Sequence, residues 1–168
     1  MSLLTSLGLS PSTGLPIPNY GPYALIINFI LAYGVTSSRT LKQIYGIDHN
    51  VSPREDLTKY GPAAVREGKI TQAQLDMLKR NESAHANAVE NYTLLVGAVA
   101  MASVAGVENV AVNRAVVGYT LARILYAVVY ISVGNDRPKL SMVRGLVWWV
   151  GNVCCLRLLW RAGGLLSA

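Results

Sequence analysis

Three stretches of this chain set polar and ionisable residues inside otherwise apolar surroundings. Arg80, Asn87, Glu90 and Asn91 recur so that, at about 100° per residue, they occupy about a third of the circumference of one helix. Ser83 shares that face, and His85 lies nearly opposite it. Further along, Tyr119, Arg123, Tyr126 and Tyr130 share a face of another helix, and Arg144 opens the apolar run that follows. An arginine or glutamate surrounded by apolar residues is expensive and normally faces a partner or a water-filled site. Two chemistries fit. The first is an Arg123–Glu90 ion pair that locks the helices together. The second is a site for a polar, anionic ligand, beside apolar walls that admit a lipophilic partner. One ion pair leaves the other Asn, Tyr and Arg residues without a purpose, so the second reading is preferred.

These residues need long helices to position them. Four segments can span a bilayer: Tyr20–Ser38, a stretch from near Gln72 to Val107, Val110–Gly134 and Ser141–Trp160. A span takes about 20 mainly apolar residues. Runs broken by a single charge are marginal alone and reasonable in a packed bundle. The second helix starts at a Thr71 cap and carries Gly97, Ala98, Ala100, Ala102, Ser103 and Ala105, which allow close approach. Arg39–Arg80, with Pro53, Gly61, Pro62 and Gly68, is the one sizeable polar segment. Residues 1–19 read as a short non-cytosolic tail, without the basic start of a secretory signal.

Composition leads to the same class. Of 168 residues, 52% are hydrophobic and 14% charged, and the first 38 carry no charged side chain. Mean hydropathy is +0.34. An average soluble domain carries about 25% charged residues. Disordered chains, disulfide scaffolds and typical cytosolic enzymes are excluded. The net charge of +6 comes from scattered residues with no zinc spacing or basic helix, so no nucleic-acid partner is expected. Cys154 and Cys155 are adjacent, which is poor geometry for a mutual disulfide. No metal site is expected either.

Lys and Arg counts give an orientation. Arg39, Lys42, Arg54, Lys59, Arg66, Lys69, Lys79 and Arg80 lie in the first loop, and Arg137, Lys139 and Arg144 in the third. The opposite side has Arg114, Arg157 and Arg161. Loops one and three are therefore expected in the cytosol.

At its polar residues the sequence resembles the MAPEG superfamily of microsomal glutathione transferases and membrane proteins of eicosanoid and glutathione metabolism. RNESAHANAVEN (Arg80–Asn91) is similar to the family pattern R-x-x-R-A-[HQ]-x-N-x-x-E. ARILYAVVY (Ala122–Tyr130) is similar to A-R-x-x-[YH]-x-x-x-Y, and RGLVWWVG (Arg144–Gly151) to the Arg that opens the family's fourth helix. Order and spacing match over nearly the whole chain.

The resemblance implies an all-α, four-transmembrane-helix bundle, one MAPEG-like membrane domain over residues 1–168, trimeric in the family's manner. It implies an endoplasmic-reticulum or other intracellular membrane, glutathione as cosubstrate between subunits of a homotrimer, membrane lipid around it, and a lipophilic small-molecule substrate. By motif, the glutathione-binding candidates are Arg39, Arg80, His85, Asn87, Glu90, Asn91, Arg123, Tyr126 and Tyr130. Arg144 is the thiolate-stabilising candidate, with Arg137 as the alternate because the segment after Tyr130 is long. Ser83 stands where the pattern has its second Arg. A non-catalytic lipid-binding member and a glutathione-independent enzyme of a lipophilic metabolite pathway are the alternatives.

Overall fold

The computed structural model describes residues 3–11, 14, 16–134 and 138–168, and every regular element among them is helical. A short helix α1 (Leu3–Ser6) precedes α2 (Gly21–Phe29), which widens into a π-helical stretch, Ile30–Val35. Then come α3 (Arg39–Ile44), a π-helical turn (Asp56–Tyr60), α4 (Gly61–Arg66), and the long helices α5 (Gln72–Val104), α6 (Asn109–Ser132) and α7 (Pro138–Leu166). Three helices among the described residues are long and apolar enough to cross a membrane: Gly21–Ile44, Asn109–Ser132 and Met142–Leu166. The 33-residue α5 packs against α6 and α7, with four of its five charged residues in its N-terminal half, Glu90 just past the middle, and an apolar stretch from there on.

Local chemistry sets the ends. Thr71 Oγ1 accepts from the Gln74 amide at 3.2 Å while Gln74 Oε1 accepts from the Thr71 amide at 2.7 Å, so two otherwise orphaned donors at the start of α5 are satisfied. Gly106, at φ +72°, lets the chain leave α5 in the left-handed region. Pro138 starts α7, where its missing amide hydrogen costs nothing. That places Arg144 at the end of the second turn of α7 and in the first turn of its span-length apolar part, Met142–Leu166.

Small residues bring α5 close to its neighbours. Ala98 and Ala102 are fully buried against Val112 and Val116 of α6 and Leu158 of α7. Cys155 belongs to this core, and both cysteines are free thiols. The outer faces are apolar instead of polar: Tyr23, Ile26 and Ile27 on α2, Leu121 and Leu125 on α6, and Leu146, Trp149 and Val150 on α7 are all exposed. Belts of this extent suit a hydrocarbon solvent.

The first span is not a plain α-helix. From Ile30 the backbone widens, and the carbonyls of Ala32 and Thr36 are taken by side chains of α5: His85 Nδ1 lies 2.8 Å from the Ala32 oxygen, and Asn81 Nδ2 donates to the Thr36 oxygen at 2.6 Å. The polar segment after it is folded. Ile47, Leu57, Ala64, Ile70, Leu75 and Leu78 form a second core there, fastened by a buried Lys42–Asp56 contact of 2.9 Å. The start of the chain is strapped to α6, because the buried Asn113 donates to the carbonyls of Gly8 (3.1 Å) and Pro18 (3.0 Å) and accepts from the Tyr20 amide (2.8 Å).

Candidate functional site

Helices α5, α6 and α7 bring one polar ladder together. Arg123 is 8% exposed, and its Nη2 donates to Asn87 Oδ1 at 2.9 Å. Its guanidinium carbon lies 4.5 Å from the centre of the Tyr126 ring. Tyr126 and Tyr130 meet edge to face at 5.5 Å, and the Arg144 guanidinium lies 4.2 Å over the Tyr130 ring. Helical spacing explains the order: three, four and seven residues separate Arg123, Tyr126 and Tyr130, so all lie along one stripe of α6.

The rest of α5 supports this stripe. Asn91 Nδ2 donates to the Asn87 carbonyl at 3.1 Å, and the Tyr119 hydroxyl donates to the Asn91 carbonyl at 3.0 Å. Arg80 Nε donates to the carbonyl of Ile131 at 3.1 Å, near the end of α6. On α7, Val147 and Trp148 pack against the tyrosines, and Gly151 lies beside Arg123 with room for a methyl group, which would sit at an ordinary 3.7 Å from the arginine's Cδ.

The electrostatics are unbalanced. No carboxylate among the described residues pairs with Arg80, Arg123 or Arg144. The buried Arg123 Nη1 has no hydrogen-bond partner among the described residues. Glu90 is exposed and makes no ion pair with Arg123, so the two-residue lock considered from sequence is not formed. A buried guanidinium held by one amide and one ring face has spare capacity for an anion.

A cavity of about 290 Å³ between α2, α5 and α6 reaches the same arginine. Leu31, Val35, Ile124 and Val128 make its walls, with Tyr119 and Arg123 at one side. Sequence periodicity marked Arg123 but not this cleft, which depends on how α2 lies against α6. Asn28, alone in an apolar run, was the available signal: it is buried there and donates to Thr120 Oγ1 at 2.8 Å.

Two sequence candidates stand apart from the ladder. Arg39 reaches Asp48 at 3.7 Å and Asn50 in the first loop. His85 faces α2 and spends Nδ1 on the Ala32 carbonyl. Ser83 is exposed and its hydroxyl donates back to the Lys79 carbonyl at 3.0 Å. Arg137, the alternate to Arg144, lies outside the described residues.

The MAPEG family model matches residues 20–164, which includes the whole ladder. The chain belongs to the MAPEG family. Compared with curated proteins and with solved structures, it matches none. MAPEG membership accounts for an all-helical chain with helices suited to a membrane, and the family includes glutathione transferases and related enzymes.

Proposed function

We propose that this MAPEG protein is an integral-membrane glutathione transferase-like enzyme, a single domain over residues 1–168, acting on a lipophilic electrophile by conjugation or by related isomerase or peroxidase chemistry. The observation that carries the reading is Arg123: buried, bound to Asn87, stacked on Tyr126, and left with an unpartnered Nη1. The donor set suits glutathione, which has two carboxylates and one ammonium. Arg123 and Arg80 fit the carboxylates through charge-assisted hydrogen bonds, and Glu90 fits the ammonium. Asn87 holds Arg123 in place and is itself braced by Asn91, while Tyr126 and Tyr130 flank the ligand.

When bound, glutathione supplies the sulfur that attacks the electrophile, forming a carbon–sulfur bond as the leaving group departs with its electron pair. A free thiol with pKa about 8.5 is mostly protonated at pH 7. Arg144, held over Tyr130, is the group that favours the thiolate, and Arg137 is the alternate. The apolar cleft beside Arg123 suits the lipophilic substrate. In a homotrimer, Arg39 and His85 of one subunit would serve the site of the next only by giving up or sharing their contacts to Asp48, Asn50 and the Ala32 carbonyl. Loops one and three face the cytosol of an endoplasmic-reticulum or other intracellular membrane, with α5 as the fourth span.

A second reading has its own support. Ser83 replaces a family arginine, and its hydroxyl is spent on Lys79. A non-catalytic lipid-binding protein, or a glutathione-independent enzyme, would lose nothing by that change.

Conjugation of 1-chloro-2,4-dinitrobenzene by detergent-purified protein, with ultraviolet difference absorbance on adding glutathione, separates the readings. A transferase gives a thiolate band and turnover. Arg144→Ala then lowers turnover far more than glutathione affinity. Loss of both signals in Arg137→Ala, with Arg144→Ala unchanged, moves the thiolate role to Arg137. No thiolate band at saturating glutathione in the unmodified protein overturns the transferase reading.

A further inference from the structure

At the end of the bundle away from Arg144, three arginines that glutathione chemistry leaves unused meet in one cavity. Arg114 of α6 and Arg157 and Arg161 of α7 line a space of about 260 Å³ together with Glu108, over a floor that includes Ala115, Cys154 and Leu158. Arg144 and Arg157 are about 20 Å apart along α7 at 1.5 Å per residue, so this is a separate place.

The charges do not cancel. Arg161 Nη1 donates to Glu108 Oε1 at 2.9 Å, and Arg114 Nε donates to the Leu9 carbonyl at 2.6 Å. Arg157 has no hydrogen-bond or ion-pair partner among the described residues. Three guanidinium groups therefore share one carboxylate. All three arginines belong to helices suited to cross a membrane, and Arg157 lies about 13 Å before the end of α7. Cations converging at that depth repel one another unless an anion sits among them.

What lies beyond the arginines indicates the kind of anion. On α7, Val153 and Val150 fall on the Arg157 face, four and seven residues back, and both are exposed. On α6, Val117, Leu121 and Leu125 continue the Arg114 face, and all are exposed. Each stripe leads from the basic cavity toward the middle of the helices. Trp160, 85% exposed, stands on the other side of Arg157, where an amphipathic ring suits the headgroup level. A basic pocket heading two apolar stripes has the shape of a phospholipid.

We infer that this cavity binds the headgroup phosphate of an anionic phospholipid, with the acyl chains along the Val150–Val153 and Val117–Leu125 stripes. The inference does not depend on the glutathione reading. Arg157 is the group with most to give, because it has no bond among the described residues to lose.

Native mass spectrometry of delipidated, detergent-purified protein tests this, with dioleoylphosphatidylglycerol and dioleoylphosphatidylcholine offered at equal concentration. The expected result is selective retention of phosphatidylglycerol that excess inorganic phosphate does not displace. One lost charge-assisted hydrogen bond corresponds to about a tenfold weakening, which is the change expected in Arg157→Gln. Arg157→Lys keeps most of the retention, and Arg66→Gln in the first loop leaves it unchanged. Circular dichroism of Arg157→Gln should match that of the unmodified protein; if that variant is unfolded, Arg114→Gln decides instead, with weakened retention expected and undiminished retention in the folded variant overturning the assignment. Equal retention of the two lipids, displacement by inorganic phosphate, undiminished retention in folded Arg157→Gln, or an equal loss in Arg66→Gln overturns the assignment.

Discussion

Lys42 and Arg123 are both buried cations, 3% and 8% exposed, and the molecule treats them differently. Lys42 is surrounded by acceptors. Its ammonium lies 2.9 Å from Asp56 Oδ2, 2.8 Å from the Pro53 carbonyl and 3.9 Å from Glu82 Oε2. Asp56 in turn accepts from the His49 amide at 3.0 Å and faces its Nδ1 at 3.1 Å, while the His49 ring stacks on Tyr60 at 3.8 Å. Arg123 has one amide oxygen, one ring face and an empty Nη1. The Lys42 charge is balanced within the chain by the Asp56 carboxylate, whose Oδ2 meets it as an ion pair without an aligned hydrogen bond, and the pair holds the first loop together. The Arg123 contacts are incomplete within the chain and leave room for a ligand's negative charge. Burial alone does not separate structure from function here; the count of acceptors does.

The largest expected effect comes from breaking the charge-balanced pair. Lys42→Met leaves Asp56 buried without its cation and should cost about 3–5 kcal/mol, read as a fall in thermal unfolding temperature in detergent. The double change Lys42→Met with Asp56→Leu should recover most of that loss, because the penalty belongs to the unpaired charge. Next in size, Arg123→Leu should cost no more than about 1 kcal/mol in stability, since removing a buried charge that is only half satisfied offsets the packing lost with the shorter side chain. If Arg123→Leu unfolds the bundle while Arg123→Lys binds ligand normally, the two cations are alike and the contrast fails.

Acid sharpens the comparison further. Burial alone would raise the Asp56 carboxyl, but the Lys42 ammonium and the two His49 donors outweigh it and hold the group below its ordinary 3.8. A folded-state value below the unfolded one gives stability that is fully present above the unfolded value and is lost as the pH falls through the folded one. The first loop should therefore loosen only in strong acid, seen as faster proteolysis near Lys59 in folded protein as the pH falls below about 4. Asp56→Asn should remove that dependence. The smallest effect is expected from Gly151→Ala: the added methyl meets Arg123 Cδ at an ordinary 3.7 Å, and the helix gains about 0.5–1 kcal/mol in propensity.

Helical phase made the ladder readable in the sequence. Arg123, Tyr126 and Tyr130 fall on one stripe of α6, and Asn87 and Asn91 on one stripe of α5, because about 100° per residue fixes their direction once a helix is assigned. The Thr71 cap was equally local, resting on a partner three residues away. Features joined across the chain gave no such period. Lys42 and Asp56 meet through a loop, and Asn113 reaches back to Gly8 and Pro18. The π-helical widening of the first span depends on Asn81 and His85 from another helix capturing its carbonyls, which no local pattern announces. The same contact explains why His85, a motif residue, faces α2 instead of the ladder.

The central claim is that Arg123 is incomplete because it holds glutathione. Isothermal titration calorimetry of glutathione into detergent-purified protein, unmodified and Arg123→Leu, tests it most directly. Loss of one or two charge-assisted hydrogen bonds at about 1.5–3 kcal/mol each predicts that Arg123→Leu, folded and of unchanged thermal stability, binds glutathione at least tenfold more weakly. Equal affinity in the two proteins, or no glutathione binding to the unmodified protein, contradicts the account.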